Sequence, residues 1–382
     1  MKLTRRNFVG TLGASAAVSL LASTTLVNRG ASAQTRVESA SKIYDGGIIQ
    51  LNQNESARGP GPKTLEALHA HVNKRLGRGY SPDHVVELEE VLAAYYGVTR
   101  DNVLLATGST PLLQGSVRAF CSANRGLVTA APTYATSEGT ARTIGAPVRQ
   151  VIVTADGEIN LAGMAEAASG AGLVYFCNPN NPTGTVHGPE AVEQFVRRVM
   201  RENPDTVLHI DEAYINYADP SVMKTALPLV QEFPNLFITR SFSKAHGMAG
   251  LRVGYALGQK ATLDKIRGAW GMGDINMLGA IAAITAFEDH DHIDWEREEN
   301  AQIRAFTVAA FEDMGFKVPK SQTNHIFVNL RRPAAEFRAA CLREKVLVGR
   351  DFPPLENTHC RISLGSREEM EKAIEVFRRV LA

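Results

Sequence analysis

The sequence predicts an α/β protein: a large domain built on a mostly parallel sheet, with a smaller α+β domain beside it. Two observations point there. From about residue 80 onward, short apolar runs alternate with helical patterns, and that alternation builds parallel sheets covered on both faces. The unusual polar residues gather at the ends of those apolar runs, and ligands of such sheets bind at the carboxyl ends of the strands.

Composition is that of a well-folded chain. Its 382 residues are 44% hydrophobic and 21% charged, enough apolar material for a sizeable core. The 41 basic residues nearly balance the 40 acidic ones, which leaves no electrostatic footprint for nucleic acid. Cys121, Cys177, Cys341 and Cys360 are scattered without a CxxC spacing and read as small buried hydrophobes.

Residues 1–33 read as a leader rather than as part of the fold. Arg5 and Arg6 precede an uncharged run from Asn7 to Asn28, and Ala31 and Ala33 precede a cut expected at Gln34. That is the plan of a secretory signal, and the arginine pair indicates the twin-arginine route to the periplasm. The run is rich in Ala, Ser, Thr and Gly, a poor membrane span, so no stable anchor is expected. The leader holds four basic and no acidic residues, so its removal takes the net charge from +1 to −3.

Residues 34–75 read as an N-terminal arm and part of the small domain, 76–275 as the large domain, and 276–382 as the small C-terminal domain. In "SPDHVVELEEVLAAYYGV", Ser81 is placed to cap a helix and Pro82 to occupy its first turn. Val85, Leu88, Leu92 and Tyr95 share one face, and Gly97 ends it. Strands are expected at "NVLLATG", "GLVTAAP", "VRQVIVT", "GLVYFCN", "TVLHIDEAY", "NLFITRSFS" and "RVGYALG", with helices such as "GPEAVEQFVRRVMREN" between them. Helices near 276–288 and 296–314 then lead to "NHIFVNL", "KVLVGRD", "CRISLG" and a closing helix.

No GxGxxG follows a strand and no GxxxxGK[ST] occurs, so dinucleotide and P-loop sites are unsupported. The "EDHDHID" stretch at 288–294 reads as charged turn residues between helices, and no metal site is expected. Four other segments carry chemistry together. Lys244 sits among small residues in "SFSKAHGMAGLRVGYALG". Asp211 ends the apolar run "TVLHI", where a carboxylate needs a partner. "CNPNNPTG" breaks a strand into a turn holding Asn178, Asn180 and Asn181. "ATGST" leads Ser109 and Thr110 into a helix, and small residues at a helix start suit an anion. An amine, a buried carboxylate, an amide donor and a phosphate cradle match pyridoxal 5′-phosphate, whose aldehyde takes a lysine and whose ring nitrogen needs an anion opposite.

The motifs resemble those of fold-type I pyridoxal-phosphate-dependent aminotransferases of class I/II, and most of all the histidinol-phosphate aminotransferase branch. The resemblance runs from "LNQNESARGPGP" to the last helix. "SFSKAHGMAGLRVGY" fits the pattern Ser-x-Ser-Lys-x-x-Gly-x-x-Gly-x-Arg-x-Gly-Tyr, and "NPNNPTG", "DEAY" and "CRISLG" follow the family's pattern. It implies that Lys244 forms the Schiff base with the cofactor and moves the substrate proton. Asp211 would pair with the ring nitrogen, Asn181 and Tyr214 with the ring oxygen, and Tyr134 would stack on the ring. Ser109, Thr110, Ser241, Ser243 and Arg252 would hold the phosphate, helped by Tyr80 from a neighbouring subunit, which implies a homodimer. Arg361 would read the substrate anion, and Arg350 is the branch's second arginine.

Taken singly, these residues have duller readings: a solvated lysine, an aspartate capping a turn, a surface arginine. Their joint order favours an enzyme that moves an amino group between an amino donor and a 2-oxo acid. A decarboxylase on the same fold shares these motifs. A cofactor-binding regulator would carry a DNA-binding domain where this chain has its leader. The branch usually has Asn-Glu-Asn-Pro where this chain has Asn54, Glu55, Ser56 and Ala57, which leaves the donor open between histidinol phosphate and aromatic or other amino acids.

Overall fold

The structure, a computed structural model, describes residues 47–78 and 83–382. The leader-like residues 1–33 and the helix start expected at Ser81 and Pro82 lie outside them. The chain begins with β1 (Ile49–Leu51), α1 (Pro62–His71), α2 (Asp83–Tyr96), β2 (Val103–Ala106) and α3 (Thr110–Phe120). It continues through β3 (Leu127–Ala131), α4 (Thr136–Thr143), β4 (Val148–Ile152), α5 (Leu161–Ala167), β5 (Leu173–Cys177), α6 (Pro189–Glu202) and β6 (Val207–Asp211). Then come α7 (Leu227–Glu232), β7 (Leu236–Ser241), β8 (Gly254–Gly258), α8 (Lys260–Ala269), α9 (Met277–Glu288) and α10 (His290–Asp313). β9 (His325–Asn329), α11 (Ala334–Arg343), β10 (Val346–Val348), β11 (His359–Ser363) and α12 (Arg367–Leu381) close it.

Seven strands form the main sheet in the order β2-β8-β7-β6-β5-β3-β4. The neighbours from β4 across to β7 pair in parallel, as expected from the strand–helix alternation. Strand β8 is the exception and runs antiparallel to both β7 and β2. No crossover α-helix separates β7 from β8, and a parallel return would need one. The returning loop, residues 242–253, therefore stays at the carboxyl end of β7, and it carries Lys244 and Arg252.

Side chains alternate across this sheet with the period of two that strands impose. Val174 and Phe176 of β5 and Leu208 and Ile210 of β6 point into one core, with Val192, Phe195, Val196 and Val199 of α6. Leu173, Tyr175 and Cys177, with Val207, point into the other, beneath α3, α4 and α8. Asp211 is four residues beyond Val207 and so emerges on the α3 side. Helix α9 adds Ala280, Ala282, Ala283 and Phe287 to the α6-side core.

A further core gathers β9, β11, α11, α12 and the second half of α10 around Ile303, Phe311, Ile326, Phe337 and Phe377. β9 pairs antiparallel with β11, and β1 pairs parallel with β10. Ser366 caps α12: its hydroxyl accepts from Glu369 N, while the Glu369 carboxylate accepts from Ser366 N, a reciprocal device that satisfies two otherwise unpaired donors. All these elements belong to one compact unit, Ile49–Ala382.

The "EDHDHID" stretch differs from the expected turn. Only Asp289 separates α9 from α10, and its buried carboxylate accepts from Lys63 at 2.7 Å. Residues 290–294 form the start of α10, where Asp291 suits the positive end of the helix dipole. Among the described residues, no group of His, Cys, Asp or Glu is placed to hold a metal, no helix is long and apolar enough to cross a membrane, and all four cysteines are buried and free.

Candidate active site

A cavity of about 850 Å3 opens at the carboxyl edge of the main sheet. The parallel strands bring their ends to that edge together: Cys177 from β5, Asp211 from β6 and Ser241 from β7 all line it. Tyr80 lies outside the described residues. Every other expected site residue faces this one space: Lys244, Asp211, Asn181, Tyr214, Tyr134, Ser109, Thr110, Ser241, Ser243, Arg252, Arg350 and Arg361.

Asp211 is the most deeply set charge. It is buried, and its carboxylate accepts from Tyr175 OH at 2.8 Å, Thr239 Oγ1 at 3.1 Å and the Ala213 amide at 3.3 Å. Burial raises its pKa above the usual carboxylate value, and the hydrogen bonds and the Lys244 charge oppose that rise. Among the described residues it has no ion pair. Tyr175 and Thr239 went unnoticed in the sequence, although each is a polar residue at an inward position of an apolar strand. Cys177 and Thr239 pair with Asp211 across β5 and β7.

Lys244 follows the end of β7 in the return loop, and its amine donates to the Asn54 carbonyl at 3.1 Å. Burial, then the nearby Arg361 guanidinium, push its pKa down to about 8, against the opposing pull of Glu55 and Asp211. A lysine so placed is a free base in reach of neutral pH. Its amine stands 5.3 Å from the centre of the Tyr214 ring.

Asn54 ties several of these groups together, although in the sequence it only opens the Asn54–Ala57 stretch, whose departures from the branch pattern are Ser56 and Ala57. Its side-chain amide donates to Tyr214 OH at 3.0 Å and meets His325 Nδ1 at 2.9 Å. Its Oδ1 accepts from Ser363 Oγ at 2.6 Å. Its backbone is left-handed, φ 56°, a conformation that Asn tolerates better than most residues.

Arg361 projects from β11. It donates to Asn181 Oδ1 at 2.9 Å and to the Asn52 carbonyl, and its Nε has no partner among the described residues. Burial lowers its pKa to about 10. Arg350 lies nearer solvent, over the Phe352 ring at 4.4 Å.

The remaining end of the cavity is built for an anion. Ser109 precedes α3 and Thr110 begins it. Arg252 donates to Ser243 Oγ at 3.3 Å and to the Ala249 carbonyl at 2.8 Å. Its backbone is left-handed, φ 58°, a strain of about 1–3 kcal/mol that holds the guanidinium inward. A Cβ at Gly108 would stand 2.3 Å from Arg252 Nη2, and one at Gly254 would stand 2.6 Å from Ser109 N. Two glycines thus let the arginine and the helix start close around one small space.

These features fit pyridoxal phosphate. Asp211 is a buried carboxylate with no ion pair among the described residues. Ser109, Thr110, Ser241, Ser243 and Arg252 form a donor set containing no acid, and Lys244, an amine of lowered pKa, lines the same cavity.

Comparison with known proteins agrees. Residues 47–377 match the family described as aminotransferase class I and II. The chain is similar to histidinol-phosphate aminotransferase 2 of Pseudomonas aeruginosa, 35% identical over 340 residues, covering 88% of this chain and 89% of that one. It is also similar to histidinol-phosphate aminotransferase of Moorella thermoacetica, 31% identical over 337 residues, covering 88% and 86%. Among solved structures, histidinol-phosphate aminotransferase from Sinorhizobium meliloti in complex with pyridoxal-5′-phosphate superposes with a TM-score of 0.78 at 27% identity, covering 87% of this chain and 90% of that one.

Proposed function

The chain belongs to the aminotransferase class I and II family and is a pyridoxal-phosphate-dependent aminotransferase, and on that premise we propose that it takes its amino group from a donor bearing an anion, of the histidinol phosphate kind, and passes it to a 2-oxo acid. The observation that carries this reading is the pairing of Lys244 and Asp211 in one cavity with two arginines, Arg361 and Arg350, on its wall.

When bound, pyridoxal phosphate supplies the carbonyl that receives the amino group and the ring that draws electrons from the donor α-carbon. The chain's own residues have separable tasks. Asp211 keeps a proton on the ring nitrogen. Lys244 Nζ, as the free amine, takes the α-proton of the donor and later returns a proton. With the cofactor bound, Asn181 and Tyr214 would hydrogen-bond the ring oxygen, and Tyr134 would cover the ring. Ser109, Thr110, Ser241, Ser243 and Arg252 would hold the phosphate. Arg361 grips the substrate anion, the 2-oxo acid's carboxylate or the donor's phosphate, with its planar fork, and Arg350 adds a contact to a phosphate nearer the mouth.

Two further parts of the reading concern the whole protein. The enzyme works as a homodimer in which Tyr80 of one subunit reaches the other's phosphate site. Leu65, Val72, Leu76 and Tyr95, on and around α1 and α2, are exposed apolar side chains that a subunit contact would cover. Residues 1–33 act as a twin-arginine leader that takes the folded enzyme to the periplasm, and the family match beginning at residue 47 supports a separate role for them.

A panel of amino donors mixed singly with purified enzyme tests the donor class, because each true donor converts the bound cofactor to its amine form and changes its absorbance. Histidinol phosphate and similar phosphorylated donors should react fastest. Faster reaction with aromatic amino acids, whose α-carboxylate is their only anion, would reject a donor of the histidinol phosphate kind.

A further inference from the structure

Outside the cavity, one buried carboxylate gathers four donors. Glu296, on α10, has no exposed surface. Its Oε1 accepts from Ser56 Oγ at 3.1 Å, Arg58 Nη2 at 2.8 Å and Tyr217 OH at 3.1 Å, and its Oε2 accepts from Arg58 Nε. A carboxylate removed from water persists only with such compensation. The donors come from two segments, and both lead into the active site. Ser56 and Arg58 close the stretch that supplies Asn52, Gln53 and Glu55 to the cavity wall and the Asn54 carbonyl to Lys244. Tyr217 ends the turn Ile215–Tyr217 that follows Tyr214.

The two segments also meet inside the site, where Asn54 Nδ2 donates to Tyr214 OH. The stretch 52–58 has no strand pairing or helix of its own, so its place depends on side-chain bonds. Arg58 makes a two-point fork with Glu296, the geometry that fixes orientation as well as distance.

We propose that Glu296 is a positioning residue for amino transfer: it clamps residues 52–58 and the 215–217 turn to α10 and thereby holds the Asn54 carbonyl against Lys244. The proposal rests on the reading of Lys244 as the reacting amine, and the clamp can be tested apart from it.

Hydrogen–deuterium exchange on the purified, cofactor-loaded enzyme reads the clamp directly. In Glu296→Gln, amides of 52–58 should exchange about tenfold faster or more, as local opening does, while those of β5 and β6 keep their parent rates. The acid limb of the kcat–pH profile should also move upward, because water reaching Lys244 relieves the burial that lowers its pKa. If Glu296→Gln fails to fold, the pair Arg58→Met with Glu296→Leu leaves no buried charge unpaired and should show the same local opening. Unchanged exchange at 52–58, or faster exchange throughout the sheet, overturns the clamp. Local opening with an unmoved kcat limb overturns its link to Lys244.

Discussion

The Tyr175 hydroxyl donates to Oδ2 of Asp211 at 2.8 Å from the adjacent strand, on the same face of the sheet. With Thr239 and the Ala213 amide, it supports a carboxylate that burial alone would push toward the neutral acid. An anion held this way, without a cation among the described residues, is prepared to receive one.

Asp211→Ala should therefore cost far more than a surface change. Removing one partner of a buried ion pair costs about 3–5 kcal/mol, roughly a thousandfold in rate, and Asp211→Glu should retain more activity. Tyr175→Phe removes one hydrogen bond to a charged group, about 1.5–3 kcal/mol, so its loss should be roughly ten- to a hundredfold. Steady-state kinetics with saturating cofactor checks both. Wild-type turnover by Asp211→Ala would reject the pairing.

The Lys244 amine should govern the acid side of the pH profile. Its pKa is lowered to about 8, and the working form is the uncharged one, so kcat should rise with pH through that value. Arg361 is among the causes of the lowering. Arg361→Gln removes a cation that disfavours the protonated amine, so the limb should move toward the ordinary lysine range. A limb that stays in place or moves to lower pH would count against this assignment.

Arg361 and Arg350 should divide the reading of substrate. Arg361 is buried and bonded to Asn181, so Arg361→Ala should raise KM for every anionic substrate. Arg350 is exposed and, among the described residues, hydrogen-bonds only the adjacent Asp351 carbonyl, so Arg350→Ala should raise KM selectively for phosphorylated donors. Equal effects of Arg350→Ala on phosphorylated and unphosphorylated donors would remove its phosphate-reading role.

How far the sequence revealed this architecture varies from residue to residue. Asp211 and Ser241 were legible because each ends an apolar strand, and parallel strands bring such ends to one edge. The reversal of β8 was not, since an apolar run reads alike in either direction. Nor could periodicity find Asn54, whose partners His325 and Ser363 are brought to it only by folding. In the sequence, Glu296 is one more charge in the charged run "DWEREEN". Only the arrival of Arg58, Ser56 and Tyr217 distinguishes it.

Export gives a further test. The twin-arginine route carries folded proteins, which suits an enzyme loaded with its cofactor before leaving the cytoplasm. Replacing Arg5 and Arg6 together with lysine should strand active, unprocessed enzyme inside the cell. The wild-type protein should fractionate with the periplasm and begin near Gln34. Wild-type enzyme found wholly in the cytoplasm with its leader intact contradicts export.

Reduction of the purified, cofactor-loaded enzyme with borohydride, followed by peptide mass analysis, bears most directly on the central claim. The account predicts a yellow protein whose colour is lost on reduction, with the pyridoxyl group fixed to Lys244. Lys244→Ala should keep its fold, carry no fixed group and lose transamination. A pyridoxyl group found on another lysine, or transamination surviving in Lys244→Ala, would contradict it.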